Sequence, residues 1–459
     1  MSLPASDHAS EIWCKTLGYV LIGFFFYAIP WSVFAALPVP PEGSPALRIQ
    51  GSNTIGAELA PALVRGLMQQ EGYSQIRAEP GLRANEQVII GRNDKGGRVK
   101  VELAAHGSST GFKALGENQA DLAASSRPIK ADEARMLVDL GDLRSRNGEQ
   151  IIALDGLATI VNPANPIRSL SVEQLGGIFA GDITDWSDVG GMPGPIDLYA
   201  RDDNSGTYDT FKELVLASQG KRLAAKAKRY ESSEELSDAV ATNPHGIGFI
   251  GLPYVRKARA LDVSDGGAVA MAPSSASIST EDYPLARRLY LYTPTVTTNP
   301  WVKALAEYAQ SPAGQAIVAT NGFIGQQPQS LSVEPSPEMP ASYRELAQKG
   351  QRLSVNFRFA EGSATLDNKA LRDVERVLAY VKATGQGKKL ALIGFSDEKA
   401  DDSRARLLSR LRAMAVRREL FKAGVVPDDI TGMGNQLPVA TNDDAAGRIR
   451  NRRVEVWVY

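Results

Sequence analysis

Apolar positions along the chain fall into two rhythms. After residue 46, short runs such as "ALRIQG", "IIALDGLATIVNP", "GPIDLYA" and "GIGFIG" carry strand character. Between them lie segments with apolar residues three and four apart, the spacing of one helix face. In "GSNTIGAELAPALVRGL", Ile55, Leu59, Leu63 and Leu67 are four apart. Strand–helix alternation over Leu47–Gly325 predicts an α/β domain with a mainly parallel sheet. Residues 326–345, opening on "QQPQSLSVEPSPEMPAS", read as a Pro/Ser-rich linker. Residues 346–459 then predict a smaller α+β unit: strand "LSVNFRFA", a helix, strand "KLALIGFS", an arginine-rich helix and terminal strand "RRVEVWVY".

The chain begins differently. Lys15 precedes an unbroken apolar run, Leu17–Ala36, with Val33-Phe34-Ala35 offering small residues where a signal peptidase reads. Residues 1–36 are therefore expected to be a signal peptide or, being long enough to cross a bilayer, a signal anchor. Residues 37–46 form a short proline-rich spacer. The single cysteine, Cys14, precedes the run, so the exported part has no disulfide and no thiol chemistry. A net charge of −1 on 459 residues gives no basic field, and no nucleic acid is expected as a partner. Spacings typical of metal sites are missing, and no cofactor is expected.

Three helix starts share one design. Ser52 and Thr54, Ser108 and Ser109, and Ser205 and Thr207 with Gly206 each precede an apolar helical pattern. Read singly, each is an N-cap whose hydroxyl satisfies a backbone N–H. Read together, they are the donors of an oxyanion site, because a helix start exposes free N–H groups and partial positive charge. Arg201, four residues before Ser205, can fork onto two oxygens, with Asp203 expected to hold its guanidinium. Ser125 and Ser126, after the apolar "DLAA", are further candidates. His106 abuts the second start and reads as a bystander. No function is evident for residues 73–107.

The ordered stretches "GSNTIG", "GSSTGF", "DLAASSRPI", "ALDGLATIVNPANP", "RDDNSGTYDTF" and "GIGFIGLPYV" resemble the PstS-like phosphate-binding proteins, receptors of phosphate ABC importers. The resemblance implies a two-lobed type II periplasmic binding protein fold with phosphate in the cleft. It implies contacts from Ser52, Thr54, Ser108, Ser109, Ser126, Arg201, Ser205, Gly206 and Thr207, leaving open which hydroxyl of each pair is used. Some members carry an aspartate where Ser126 stands. A serine does not repel fully ionised sulfate, so sulfate and molybdate stay beside inorganic phosphate as ligands. An ABC phosphate permease is the implied partner. A phosphatase using Ser205 is the competing reading, but the exported part has only His106 and His245 as bases of the usual kind.

In the last unit, Arg412 shares a helix face with Leu408 and Val416 and needs a partner. Asp397 is the candidate, either in an internal ion pair or in a clamp for a zwitterion. "GFSDE", "LSRLRAMAV" and "GRIRNRRVEVWV" resemble the OmpA-like peptidoglycan-binding domain. In that family an aspartate and an arginine fifteen positions apart bind the zwitterionic end of diaminopimelate in the wall peptide, which implies this role for Asp397 and Arg412. Ser396, Ala400 and Ala405 depart from the family pattern. The expectation is a periplasmic phosphate receptor associated with peptidoglycan and with the outer membrane, serving uptake or sensing. The other arginines of that helix read as a solvated face.

Overall fold

The computed structural model describes residues 37–203, 205–359, 365–384, 388–399 and 401–459. The predicted signal segment, and Ala400, lie outside the described residues. Leu37–Tyr459 forms one compact unit.

The alternating strand β1 (Leu47–Gly51) buries Leu47, Ile49 and Gly51. The helical run that follows winds one wide turn over Ile55–Leu59 before α1 (Ala60–Gln70). Ile55, Leu59, Leu63 and Leu67 are all buried, as their spacing predicts. Residues 73–105 form an antiparallel meander of β2 (Tyr73–Pro80), β3 (Glu86–Asn93) and β4 (Arg98–Ala105). The unexplained segment thus widens the sheet. Next come α2 (Ser108–Gly116), β5 (Leu122–Ser125) and the thirteen-residue β6 (Glu149–Val161).

One curled sheet runs through both lobes. In the first lobe β1 lies between β4 and β5, parallel to each. β6 crosses to the second lobe. Its first half pairs with the return strand Ala286–Tyr292, and its second half with the strand Gly246–Gly251. The latter lies parallel to the strand Asp197–Arg201. Separate apolar cores fill the lobes. Leu59, Leu63, Ile152 and Trp301 are buried in the first, and in the second Phe211 stacks on Phe249 while Phe179 meets both edge-on.

The C-terminal sheet holds the strands Gln351–Arg358, Arg453–Val458, Leu390–Gly394 and Asp429–Gly432, covered by the helices Asn368–Thr384 and Asp402–Lys422. The proline-rich segment is not the free spacer its composition suggests. Gln326 donates from Nε2 to the Ile151 carbonyl. Gln329 donates from its backbone N to Ser354 Oγ, and Ser330–Leu331 pair as an edge strand with Arg352 and Leu353.

The C-terminal domain touches both lobes. On the second, Asp282 accepts from Arg352 (2.7 Å), Arg358 (3.2 Å) and Asn356 (2.8 Å), and Asp265 pairs with Arg450. On the first, Asn368 donates to the Arg144 carbonyl and to Glu149. Arg288, on the return strand, joins Glu281 (2.5 Å) to Asp367 (2.9 Å).

Candidate functional site

Gly51 sits at φ +138°, and a Cβ there would lie 2.0 Å from the Ala124 carbonyl oxygen. Only glycine lets β1 turn this close to β5. Its carbonyl accepts from the backbone N–H groups of His106 and Gly107, while Ser52 N donates to Ala124 O. Ser52, Ser108 and Ser126 thereby follow the ends of three adjacent parallel strands.

Ser52 is buried and its Oγ has no hydrogen-bond partner among the described residues. A buried hydroxyl without a protein partner is uncommon, because burial without a hydrogen bond costs stability. Ser108 Oγ accepts from Ser126 N (3.1 Å) and lies 3.3 Å from Ser126 Oγ. Ser109 Oγ accepts from Arg127, which is paired with Glu133. His106 is tied to Glu86 at 3.1 Å.

The second lobe contributes Ser205, which caps the helix Gly206–Phe211 by accepting from Tyr208 N. A Cβ on Gly206 would fall 2.4 Å from Thr54 Cα and from its Oγ1. The two lobes therefore meet where two helix starts abut. Thr207 follows, half-buried. Both helices open into a wide turn after a few residues, at Ile55–Leu59 and Lys212–Leu216, a distortion common near functional sites.

Arg201 faces elsewhere. Its Nε donates to Tyr230 O (3.2 Å), Nη2 to Glu231 O (2.7 Å) and Nη1 to Ser233 Oγ. The expected hold by Asp203 is replaced. Asp203 is exposed and pairs with Arg229 at 2.6 Å, while Asp202 lies 3.8 Å from Arg201. Carbonyls of a neighbouring loop already fill the fork, so no carboxylate is needed to orient it.

The arginine at the lobe junction is Arg287, which sequence reasoning missed. It is buried on the return strand, opposite Asp155 on β6. Its Nε donates to Asp155 (3.2 Å), and Nη2 donates to Thr54 Oγ1 (2.6 Å) and Gly206 O (3.0 Å). Nη1 is buried without a hydrogen bond among the described residues, 3.5 Å from Glu213. Burial raises the carboxyl pKa of nearby Asp209, against the pull of Arg287. The junction thus holds a guanidinium with one unbonded nitrogen where two helix starts abut, and Ser52 stands two residues before Thr54.

A second candidate site lies beyond the end of the strand Leu390–Gly394, against the helix Asp402–Lys422. Asp397 is fully buried and takes Lys399 (2.7 Å) and Arg452 (3.2 Å) on one oxygen and Ser396 Oγ (3.3 Å) on the other. Burial opposes its ionisation, but Lys399 and Arg452 outweigh that and hold the carboxyl below its usual range. Arg412 donates to the same Ser396 Oγ at 3.3 Å, and its guanidinium lies 5.9 Å from the Phe359 ring centroid. Burial lowers its pKa, with Asp397 pulling the other way. The aspartate and arginine flank one serine.

A PBP superfamily domain model matches residues 86–313, and an OmpA family model matches 358–452. The phosphate-binding protein PstS of Borreliella burgdorferi is 27% identical over 245 residues, which are 52% of this chain and 85% of that protein. Protein SphX of Synechococcus elongatus is 33% identical over 239 residues, 50% of this chain and 68% of that one. An ABC-type phosphate transport receptor from Vibrio cholerae overlays 61% of this chain and 99% of its own at 24% identity and a TM-score of 0.48. The chain belongs to the PBP superfamily, alongside the PstS and SphX proteins, and it carries a domain of the OmpA family at its C-terminal end.

Proposed function

We propose that the chain binds inorganic phosphate between its lobes and is held at the peptidoglycan by its OmpA-type domain, as a periplasmic receptor for uptake or sensing. The observation that carries this is a buried arginine on Thr54 where two helix starts meet, with the unbonded Ser52 hydroxyl two residues earlier in the chain. In this reading Ser52, Thr54, Ser108, Ser109, Ser126, Ser205, Gly206 and Thr207 supply neutral donors, and Arg287 supplies the charge. Arg201 braces the loop before Ser205 through its hold on residues 230–233. Relatives named as phosphate-binding proteins favour binding over catalysis. Ser205 Oγ is engaged as a helix cap, which does not activate it as a nucleophile.

Calorimetry on residues 37–459 with phosphate, sulfate and molybdate tests the reading. Phosphate binding is expected, and silence with phosphate would sink it. Ser52→Ala should weaken binding about tenfold or more, the range for a hydrogen bond to a charged group. Its melting temperature should hold, because that hydroxyl bonds nothing in the protein. A phosphatase would instead release phosphate from a generic aryl ester.

Asp397 and Arg412 would grip the ammonium and carboxylate of a diaminopimelate-containing wall peptide, with the ligand ammonium displacing Lys399. Asp397→Asn with Arg412→Gln should abolish co-sedimentation with purified peptidoglycan; undiminished pelleting would place the wall contact elsewhere.

A further inference from the structure

The helix Asp402–Lys422 is apolar on two sides. Ala405, Ser409, Ala413, Val416 and Leu420 face the domain core. On the opposite side Leu407, Leu411, Met414 and Phe421 stand 49–64% exposed. These are four of the thirteen large apolar side chains that are exposed among the described residues, gathered on one helix. At 3.6 residues per turn, the four fall within about 40° of a single line. Scattered exposed leucines need no explanation, but a continuous stripe does.

The charges beside the stripe say what covers it. Arg404 and Lys422 lie along one border, Arg410 and Arg417 along the other, and Arg418 sits on the line itself. Past Asp402 the helix has one carboxylate, Glu419, held by Arg418 at 3.1 Å and Lys422 at 3.0 Å. A second copy of this face would bring cations against cations, so the stripe does not suit self-association. An apolar ridge bordered by arginines suits an anionic lipid surface. Arginines meet headgroup phosphates while Leu, Met and Phe enter the acyl boundary.

We propose that the solvent face of the helix Asp402–Lys422, with its Leu407–Phe421 stripe and arginine borders, docks on anionic phospholipid. This interaction is separate from the Asp397–Arg412 site and does not depend on phosphate binding. It gives the C-terminal domain two surfaces, one for wall peptide and one for membrane.

The test uses residues 37–459, which leave out the apolar N-terminal run, and vesicles of equal phosphatidylglycerol and phosphatidylcholine. The protein should pellet with these vesicles at about 0.1 M salt and far less with phosphatidylcholine alone. Salt at several times that concentration should weaken binding about tenfold by screening the arginine contacts. Leu411→Gln with Phe421→Gln should abolish pelleting, and Arg410→Gln with Arg417→Gln should reduce it about tenfold. All four positions are exposed, and unchanged circular dichroism would verify the fold. Absence of pelleting, equal pelleting by the leucine–phenylalanine variant, or a dimer in sedimentation velocity that this variant dissolves would each overturn the proposal.

Discussion

Arg287→Gln is expected to weaken phosphate binding about a hundredfold or more and to lower stability at the same time. The binding loss follows from removing the guanidinium that contacts both Thr54 and Gly206. Stability falls because the buried Asp155 loses its partner. Breaking one side of a buried pair costs about 3–5 kcal/mol. The two effects separate in a double variant. Arg287→Gln with Asp155→Asn removes both charges and should recover much of the melting temperature, while phosphate binding stays lost. Recovery of binding in that double variant would show that Arg287 matters only through folding, and that the anion is held elsewhere.

Asp282→Asn should destabilise the whole unit by a similar amount, about 3–5 kcal/mol, because it removes the buried carboxylate that Arg352 and Arg358 share in the seam between second lobe and C-terminal domain. The same acid makes the seam sensitive to low pH. Burial opposes ionisation of Asp282, yet Arg352, Arg453 and Arg358 bring its pKa down to about 2. Glu281 is likewise brought to about 2 against its burial, by Arg288 and Lys369. An unfolded chain titrates these groups at about 4. Both pKa values are depressed in the fold, so their contribution is fully present above about 4 and drains away as pH falls toward 2. Thermal melting between pH 6 and pH 2 should show a steep loss in that window, with a shallower slope in Asp282→Asn. Identical slopes would mean the seam does not carry the acid sensitivity.

The fold was legible where local pattern suffices. Ile55, Leu59, Leu63 and Leu67 mark a buried helix face by spacing alone, and the hydroxyl–glycine stretches at Ser52, Ser108 and Ser205 stand where helices open, although only Ser205 caps its helix through the side chain. What was not legible depends on partners remote in the chain. Arg287 lies in "ARRLYLY", the polar opening of a strand, and nothing local separates it from Arg288. Strand alternation sends one toward Thr54, 233 residues away, and the other toward Asp367. Arg201 looked like the anion's arginine because it precedes Ser205, but carbonyls at 230 and 231 draw its fork aside. The seam was invisible for a related reason. Arg352 and Arg358 meet Asp282 only across 70 and 76 residues of chain, a distance over which no local pattern extends.

That seam bears on how the molecule can be divided. A fragment ending near Gly325 would strip Asp282 of every cation it contacts and open Glu149 and Arg288 to solvent. Excising either module would therefore yield a receptor or a wall domain with a raw charged scar, and its behaviour in isolation would not be that of the parent.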